Sequence, residues 1–314
     1  MNHLSDISMT LDFATLCGIT QQELNSNFSQ AIDQLVDIEQ LDRGQMLAKI
    51  KHWYNGYQFH HHAVGVYNPY SVLSLFQRRE FDNDWYTTAT PTFLLDLLQK
   101  KHYELKNLTE HKVSAAVFQA SDPQNMEIQS LLVQTGYLTI KEYNNPLYPL
   151  DFPNFEVKKS FYDPVAARYS QVGQSVGEGY TVKLIQLLQA GNIHDFFKTL
   201  KVFFANIPYN ITIRDEKYYQ SLFYAIFKLI GLTIEAEVHT NEGRIDCVVQ
   251  TDDKVYIIEF KLNDTKEDAL QQIHDKNDAL KYQGGDKPIV LLGVEFDPKS
   301  RNIGEFIQYH GNQG

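Results

Sequence analysis

The sequence predicts a mixed α and β chain of more than one domain, with a helical front and an α/β tail. Its 314 residues exceed the usual length of a single domain. Apolar residues recur at helical spacing through most of the front. From about residue 215 the pattern changes to an α-β-β-β-α-β order, which is typical of a mixed sheet with helices packed against it. These observations predict a helical region followed by an α/β domain in the same chain.

Helix starts can be recognised in the front of the chain. Thr20 to Glu23 has capping-box spacing, and the apolar positions that follow predict one helix continuing to about Leu35. A second helix is predicted from about Asp42 to His52. Asn68-Pro69 and Thr90-Pro91 each place a proline behind a capping residue, which predicts two further helix starts.

A helix and a hairpin follow. Residues Met126 to Gln134 predict a helix, and Tyr137 to Ile140 predict a strand. Asn144 to Pro146 form the predicted turn, and Leu147 to Phe152 form the returning strand. A winged helix has this pattern, and so does a generic helix–hairpin packing unit, so both interpretations stay open at this stage.

The connection to the tail is predicted to be helical. Residues Asp163 to Ala205 contain two or three helical patterns, with joints expected near Gly177 to Gly179 and near Gly191. The boundary of the last domain is expected near Pro208 to Arg214. The tail then contains these predicted elements: a helix over Asp215 to Ile230, strands over Ile234 to Val238, Arg244 to Gln250 and Val255 to Lys261, a helix over Lys266 to Tyr282, and a last strand over Lys287 to Val294.

Composition excludes several classes of protein. No apolar run approaches the length of a membrane helix, and the first twenty residues lack the features of a signal peptide. The two cysteines, Cys17 and Cys247, lie far apart in dissimilar contexts, so a disulfide framework is not expected and a cytoplasmic protein is. The net charge of −11 argues against a protein that coats nucleic acid non-specifically over its whole surface.

One predicted hairpin carries two acids. If Asp252 and Asp253 form its two-residue turn, Asp246 lies directly opposite Glu259. Opposed residues in an antiparallel pair have Cβ atoms about 4.5–5.5 Å apart, so two carboxylates there repel each other. Such a pair must raise a pKa or bind a cation, unless the predicted register is wrong.

A lysine joins this pair. Glu259 and Lys261 are two residues apart on a strand, so both project from the same face. Carboxylates with room for water suit Mg²⁺, and a neighbouring lysine can orient an attacking water or stabilise charge on a phosphate. The alternative is a structural Asp–Lys–Glu network at the end of a sheet. Spacing alone does not decide between these two interpretations.

These residues resemble a known motif. Gly243 to Asp246 followed by Val255 to Lys261 is similar to the core of the PD-(D/E)xK nucleases. The resemblance implies a restriction-endonuclease-like α/β fold in which Asp246 and Glu259 bind the metal and Lys261 is catalytic. It further implies that Glu216 is the additional acid on the preceding helix. Gln272, on the following helix, matches a glutamine that assists catalysis by hydrogen bonding.

The resemblance extends over nearly the whole chain to bacterial AAA-ATPase-like proteins with a C-terminal PD-(D/E)xK domain. The front stretches that carry it are Leu4 to Ile7, Tyr54 to Tyr57, Tyr67 to Leu73, Gly136 to Ile140 and Phe152 to Val157. It implies a post-ATPase helical region with a winged-helix-like segment over residues 1–160, a helical connector over 161–212 and a nuclease-like domain over 213–310. No phosphate-binding G-x-x-x-x-G-K-[ST] loop occurs, so the chain is expected to lack the ATPase half and not to hydrolyse ATP.

The expected function is phosphodiester hydrolysis that depends on Mg²⁺ or Mn²⁺. The expected partner is nucleic acid, DNA rather than RNA, together with a separate ATPase subunit or the missing ATPase half; no membrane partner is expected. The alternative is a non-catalytic module that binds nucleic acid or protein and retains the nuclease fold. The complete acid–acid–lysine set favours the enzyme, whereas the missing ATPase half and the acidic net charge favour the binding module.

Overall fold

The structure is a computed structural model of the chain. It describes residues 7–85, 92–101, 103–110, 112–119, 127–141, 146–170, 174–205, 216–231, 235–241, 244–262, 264–275, 282, 285–297, 300 and 302–310. Within these ranges the helices are α1 (Gln21–Asn27), α2 (Ser29–Glu39), α3 (Arg43–Tyr54), α4 (Pro69–Arg78), α5 (Thr92–Lys100), α6 (Asn107–Glu110), α7 (Ala116–Gln119), α8 (Ile128–Gln134), α9 (Phe155–Ser170), α10 (Gln174–Gln189), α11 (Ile193–Ala205), α12 (Glu216–Ile230) and α13 (Lys266–Asp275). The strands are β1 (Asn55–Tyr57), β2 (Val66–Tyr67), β3 (Thr139–Ile140), β4 (Leu150–Asp151), β5 (Glu235–Asn241), β6 (Arg244–Gln250), β7 (Val255–Leu262), β8 (Ile289–Asp297) and β9 (Asn302–His310).

The chain divides into two units, each drawn from two stretches of sequence. The first unit comprises Met1–Pro91 and Asn107–Phe161, and the second comprises Thr92–Lys106 and Tyr162–Gly314. The predicted regions 1–160, 161–212 and 213–310 stay a prediction. The predicted boundary at Pro208 to Arg214 lies outside the described residues.

Helix caps in the first unit follow the sequence. Thr20 and Asp42 both form capping boxes, with Glu23 and Gln45 as their partners. The Asn68 side chain accepts a hydrogen bond from the Tyr70 backbone N–H at 2.9 Å and so caps α4. These three helix starts are confirmed. The start predicted at Thr90-Pro91 lies outside the described residues.

The helix predicted to run from Thr20 to Leu35 is two helices instead. Phe28 lies between α1 and α2 with φ −120° and ψ 21°, which is not helical backbone. Its ring stacks on Phe76, with ring centroids 5.1 Å apart. The bend allows Leu24 on α1 and Ile32 on α2 to enter one core, where both are fully buried. Tertiary packing has therefore overridden local helical periodicity at this position.

The predicted helix–hairpin is present in the first unit. After α8, strands β3 and β4 pair antiparallel, with Ile140 opposite Leu150. The predicted turn residues Asn144 and Asn145 lie outside the described residues. A helix followed by a two-stranded hairpin fits both interpretations, and the winged helix stays a prediction.

A buried carboxylate joins three elements of the first unit. Glu156, in the first turn of α9, is completely buried. Its Oε2 accepts a hydrogen bond from Ser71 Oγ on α4, and its Oε1 accepts one from the backbone N–H of Trp85, each at 2.8 Å. The pKa of Glu156 is raised to about 7: burial is the largest cause, the hydrogen bonds from Ser71 and the Trp85 backbone oppose it, and the charge of Asp84 adds to it.

Glu156→Gln is expected to flatten the dependence of stability on pH. The folded-state pKa is raised, so the contribution of this carboxyl to stability is complete below about pH 4.5 and is lost as the pH rises through about 7. The difference amounts to at most about 3 kcal/mol, since one pKa unit corresponds to about 1.4 kcal/mol. Glutamine keeps an acceptor for Trp85 and a donor for Ser71. Denaturant titrations between pH 5 and 8 measure the effect, and parallel curves for the two proteins would contradict the assignment.

The second unit contains the helical connector and the tail. The joint predicted near Gly177 to Gly179 is wrong, because both glycines lie inside α10. A Cβ built on Gly179 meets no atom within 4 Å, so this glycine serves no close approach of another element. A helix tolerates such a glycine at a cost of about 1 kcal/mol. The joint predicted near Gly191 is confirmed, because this residue has φ +69° between α10 and α11.

The tail forms a five-stranded sheet in the order β5-β6-β7-β8-β9. Strands β5, β6 and β7 pair antiparallel, β8 pairs parallel to β7, and β9 pairs antiparallel to β8. The predicted α-β-β-β-α-β order is confirmed, and β9 is an additional strand that the sequence analysis did not predict. It lies at the edge of the sheet and alternates poorly between buried and exposed side chains, which weakens its pattern in sequence.

Helices cover both faces of this sheet. On one face the Phe260 ring lies 4.7 Å from Phe223 and 5.7 Å from Phe227, both on α12, measured between centroids. On the other face Ile257 and its apolar neighbours pack against Ile273 of α13. The sheet is therefore a buried layer, and a charged side chain within it requires a specific reason. No helix in the described part of the chain combines the length and apolar character needed to cross a bilayer.

Candidate active site

The site-bearing hairpin has the register that the sequence predicts. Asp246 on β6 is the direct partner of Glu259 on β7, and Arg244 is the partner of Lys261. The hairpin closes at Thr251, whose backbone N–H donates to the Lys254 carbonyl at 2.9 Å. The two-residue turn between these residues therefore places the backbones of the two acids opposite each other.

Glu259 is a buried carboxylate beside a lysine. Only 1% of Glu259 is exposed, although it stands in a strand of apolar residues. Its Oε1 lies 3.7 Å from Nζ of Lys261, which is itself largely buried. The two side chains share one face of β7 because they are two residues apart. Burial of both charges costs free energy, which their mutual attraction offsets only in part.

The neighbouring strand β8 contributes two positions that the sequence analysis missed. Gly293 is the partner of Glu259, and Glu295 is the partner of Lys261. A Cβ on Gly293 would lie 2.3 Å from the Lys266 carbonyl oxygen and 2.8 Å from the Leu270 backbone nitrogen. The absence of a side chain therefore lets the backbone of α13 lie directly on the sheet beside Glu259. A glycine within an otherwise apolar strand was the available signal.

The start of α13 brings a further acid towards Lys261. Asp268 and Thr265 form a reciprocal cap, in which each backbone N–H donates to the other side chain, at 3.1 and 3.2 Å. The hydrogen bonds from Thr265 lower the pKa of Asp268, and the positive charge of Lys261 lowers it further. Asp268 was not predicted as a site residue, although its spacing from Thr265 is a recognisable capping pattern.

Gln272 lies one turn beyond Asp268 on α13 and is partly buried. Residues four apart on a helix share a face, so Gln272 follows Asp268 along the same side. The structure thus places this predicted residue on the helix that covers the Glu259 face of the sheet. Its catalytic role stays a prediction.

The two remaining predicted residues are described only by their backbones. Glu216 is the first residue of α12, and Asp246 lies on β6; the side chains of both lie outside the described residues. Among the side chains that are described, no group of three His, Cys, Asp or Glu is arranged to bind a metal. The described member of the set, Glu259, supplies the hard carboxylate oxygens that Mg²⁺ prefers, and its register partner is a second acid. The chemistry of the donors therefore fits a divalent cation.

Comparison with known proteins agrees with this geometry. Residues 214–306 match the family model described as the PD-(D/E)XK nuclease superfamily. This segment is a PD-(D/E)XK nuclease superfamily domain. It includes the whole sheet except the last residues of β9, and it includes α12 and α13. All five predicted site residues fall within it.

The chain is also similar to a longer protein over almost all of its length. It is 37% identical, over 98% of the chain, to a protein of Azotobacter chroococcum mcd 1 described as "Uncharacterized protein in vnfD 5'region". The chain spans 59% of the length of that relative. No solved structure matches the chain.

Proposed function

We propose that this chain is a nuclease that depends on a divalent metal and hydrolyses phosphodiester bonds in DNA. The observation that carries the proposal is the pairing of Asp246 with Glu259, with Lys261 on the same strand face, inside a PD-(D/E)XK nuclease superfamily domain. In such a domain an acid pair can bind a metal ion, and a lysine beside it can stabilise charge on a phosphate. If these residues formed only a structural network, they would add little to the stability of the fold, because buried ion pairs are weak sources of stability.

In this proposal Asp246 and Glu259 hold Mg²⁺ or Mn²⁺, with Glu216 as a direct ligand or one acting through water. When bound, the metal polarises the phosphate and lowers the pKa of a water molecule. The Lys261 ammonium, 3.7 Å from Glu259, orients the attacking water or stabilises negative charge that develops on the phosphate. Gln272 donates a hydrogen bond to the substrate or to a water molecule.

A non-catalytic module is the second candidate. The net charge of −11 favours it, because a nuclease must attract a polyanion. In that case the domain would bind nucleic acid or protein without cleaving it. The resemblance of the front stretches to a post-ATPase region further suggests a separate ATPase subunit, or an ATPase region of a longer protein, as partner.

The experiment that tests the proposal combines cleavage with thermal melts. Supercoiled plasmid, single-stranded DNA and RNA are incubated with the purified chain and Mg²⁺, Mn²⁺ or EDTA. We expect cleavage of DNA with either metal and none in EDTA, together with a higher melting temperature at millimolar metal, because a ligand that binds only the folded state stabilises it. Binding of DNA without cleavage under every condition would favour the non-catalytic module instead. Cleavage of RNA alone would contradict the DNA preference.

A further inference from the structure

One short segment of the first unit exposes a concentration of large apolar side chains. We name residues 7–17 the apolar ledge. The exposed fractions of its four large apolar residues are 43% for Ile7, 49% for Leu11, 46% for Phe13 and 72% for Leu16. The other exposed large apolar side chains of the first unit are spread between residues 38 and 147. Single exposed apolar residues are ordinary, whereas a cluster of them marks a surface that binds another group.

The backbone of the apolar ledge is held by its own turns. The Phe13 N–H donates to the Thr10 carbonyl, and the Leu16 N–H donates to the Phe13 carbonyl, each at 3.1 Å. Ala14, which lies between the two exposed side chains, is buried. The exposed side chains therefore cannot turn inward unless these hydrogen bonds break. Side chains displayed on a fixed backbone lose little conformational freedom when another surface covers them, so the ledge is pre-organised for contact.

The end of the apolar ledge is anchored to the core of the first unit. Ile19 exchanges two backbone hydrogen bonds with Tyr67 of β2, at 3.1 and 2.8 Å, and Tyr67 is fully buried. Gly18 lies so close to β2 that a Cβ built on it would be 2.3 Å from Cγ2 of Val66. The ledge is therefore a fixed part of the surface of the first unit and not a loose terminal segment.

The charge of the apolar ledge restricts the kind of partner that it fits. Residues 7–27, which comprise the ledge and α1, contain the acids Asp12 and Glu23 and no lysine, arginine or histidine. Nucleic acids and anionic membrane surfaces are bound through basic residues, so neither matches this surface. An apolar surface with acids beside it instead matches a protein surface that is apolar at its centre and basic at its rim.

Size and charge favour a tethered protein region over a second copy of this chain. A two-fold contact brings the same patch of both copies together, so the acids of the ledge would face each other. A standard interface also uses roughly 20–30 residues on each side, which is more than the ledge provides. A region of the same polypeptide needs a smaller surface, because tethering raises its effective concentration. The longer relative has such a region, since about two-fifths of its length lies beyond the match with this chain.

We propose that the apolar ledge is the docking surface for the additional region that the longer relative carries. That region contacts Phe13 and Leu16 through apolar side chains, and basic side chains at its rim face Asp12 and Glu23. The free energy of docking comes from covering the apolar side chains, and the charges set the orientation of the two surfaces. The proposal concerns the first unit and does not rest on the nuclease proposed for the second.

Thermal melts of this chain and of the full-length relative test the proposal. Leu16→Asp should leave the melting temperature of this chain unchanged, because the side chain is 72% exposed. The same change at the aligned position of the relative should lower its melting temperature by several degrees or split one transition into two, because a charge would be buried without a partner. Leu73→Asp is the matched control, since it alters an exposed leucine of α4 in the same unit. The control should change neither protein.

Hydroxyl-radical footprinting of the two unaltered proteins gives a second readout that does not depend on the folding of a variant. Side chains aligned with Phe13 and Leu16 should be oxidised several times more slowly in the relative than in this chain. Equal oxidation in both proteins, or no effect of Leu16→Asp on the relative, would overturn the docking surface. So would a dimer of this chain that Leu16→Asp converts to a monomer, which would assign the ledge to a second copy. No measurement uses metal or cleavage, so a failure of the proposed nuclease leaves this result unaffected.

Discussion

Asp246→Ala is expected to abolish cleavage and to remove metal-dependent stabilisation at the same time. Asp246 is the register partner of the buried Glu259, and the proposal assigns both carboxylates to one cation. Two ligands bind a divalent ion far more tightly than the single carboxylate left by the substitution. The metal-free variant should be at least as stable as the parent, because repulsion across the hairpin disappears.

Thermal melts with and without Mg²⁺ or Mn²⁺, together with plasmid cleavage, measure both effects. Asp253→Ala is the matched control, because it removes the same charge from the exposed turn of the same hairpin. The control should retain cleavage and the metal-dependent shift in melting temperature. If Asp246→Ala melts lower than the parent by the same amount with and without metal, and cleavage persists, the acid pair is a structural network.

Lys261→Ala is expected to separate cleavage from metal binding. Its Nζ lies 3.7 Å from Glu259 Oε1 and is not a metal ligand. Loss of the ammonium group should leave metal binding intact or slightly tighter, since one competing cation is removed. Cleavage should fall by roughly 10²-fold or more, as expected for the loss of an electrostatic or proton-transfer contribution.

The control for this variant is Lys254→Ala, at the turn end of the same strand pair. Single-turnover cleavage at saturating metal gives the loss in the chemical step, and melts in a metal titration give the affinity. A parallel loss of metal affinity and cleavage in Lys261→Ala would mean that the lysine only maintains the fold of the site. If metal stabilises neither the parent nor the variants, the catalytic assignment is withdrawn and the fold alone remains.

Short-range rules account for the part of the site that could be predicted. The two-residue turn at Asp252 and Asp253 sets the hairpin register, and with it the pairing of Asp246 with Glu259. The period of two along a strand places Glu259 and Lys261 on one face. Capping side chains such as Asn68 mark helix starts for the same reason, because their partners lie only two or three residues away.

Long-range contacts decided the features of the site and of the fold that the sequence analysis did not predict. The parallel pairing of β7 with β8 places Gly293 beside Glu259 and Glu295 beside Lys261, and no local pattern encodes such a pairing across an intervening helix. The break at Phe28 follows from a shared core, and β9 forms because β8 offers it an open edge.

The sequence by itself determined that Asp246 and Glu259 are partners in the hairpin register and that Glu259 and Lys261 share one face of β7. It also determined where α1, α3 and α4 begin. Only the tertiary structure decided which distant segments become neighbours: the backbone of α13 lies against Gly293, and Ser71 and the Trp85 backbone bind Glu156 at the start of α9. Turn geometry and side-chain period act over a few residues, whereas these arrangements depend on chain segments that become neighbours only when the apolar surfaces between them are buried.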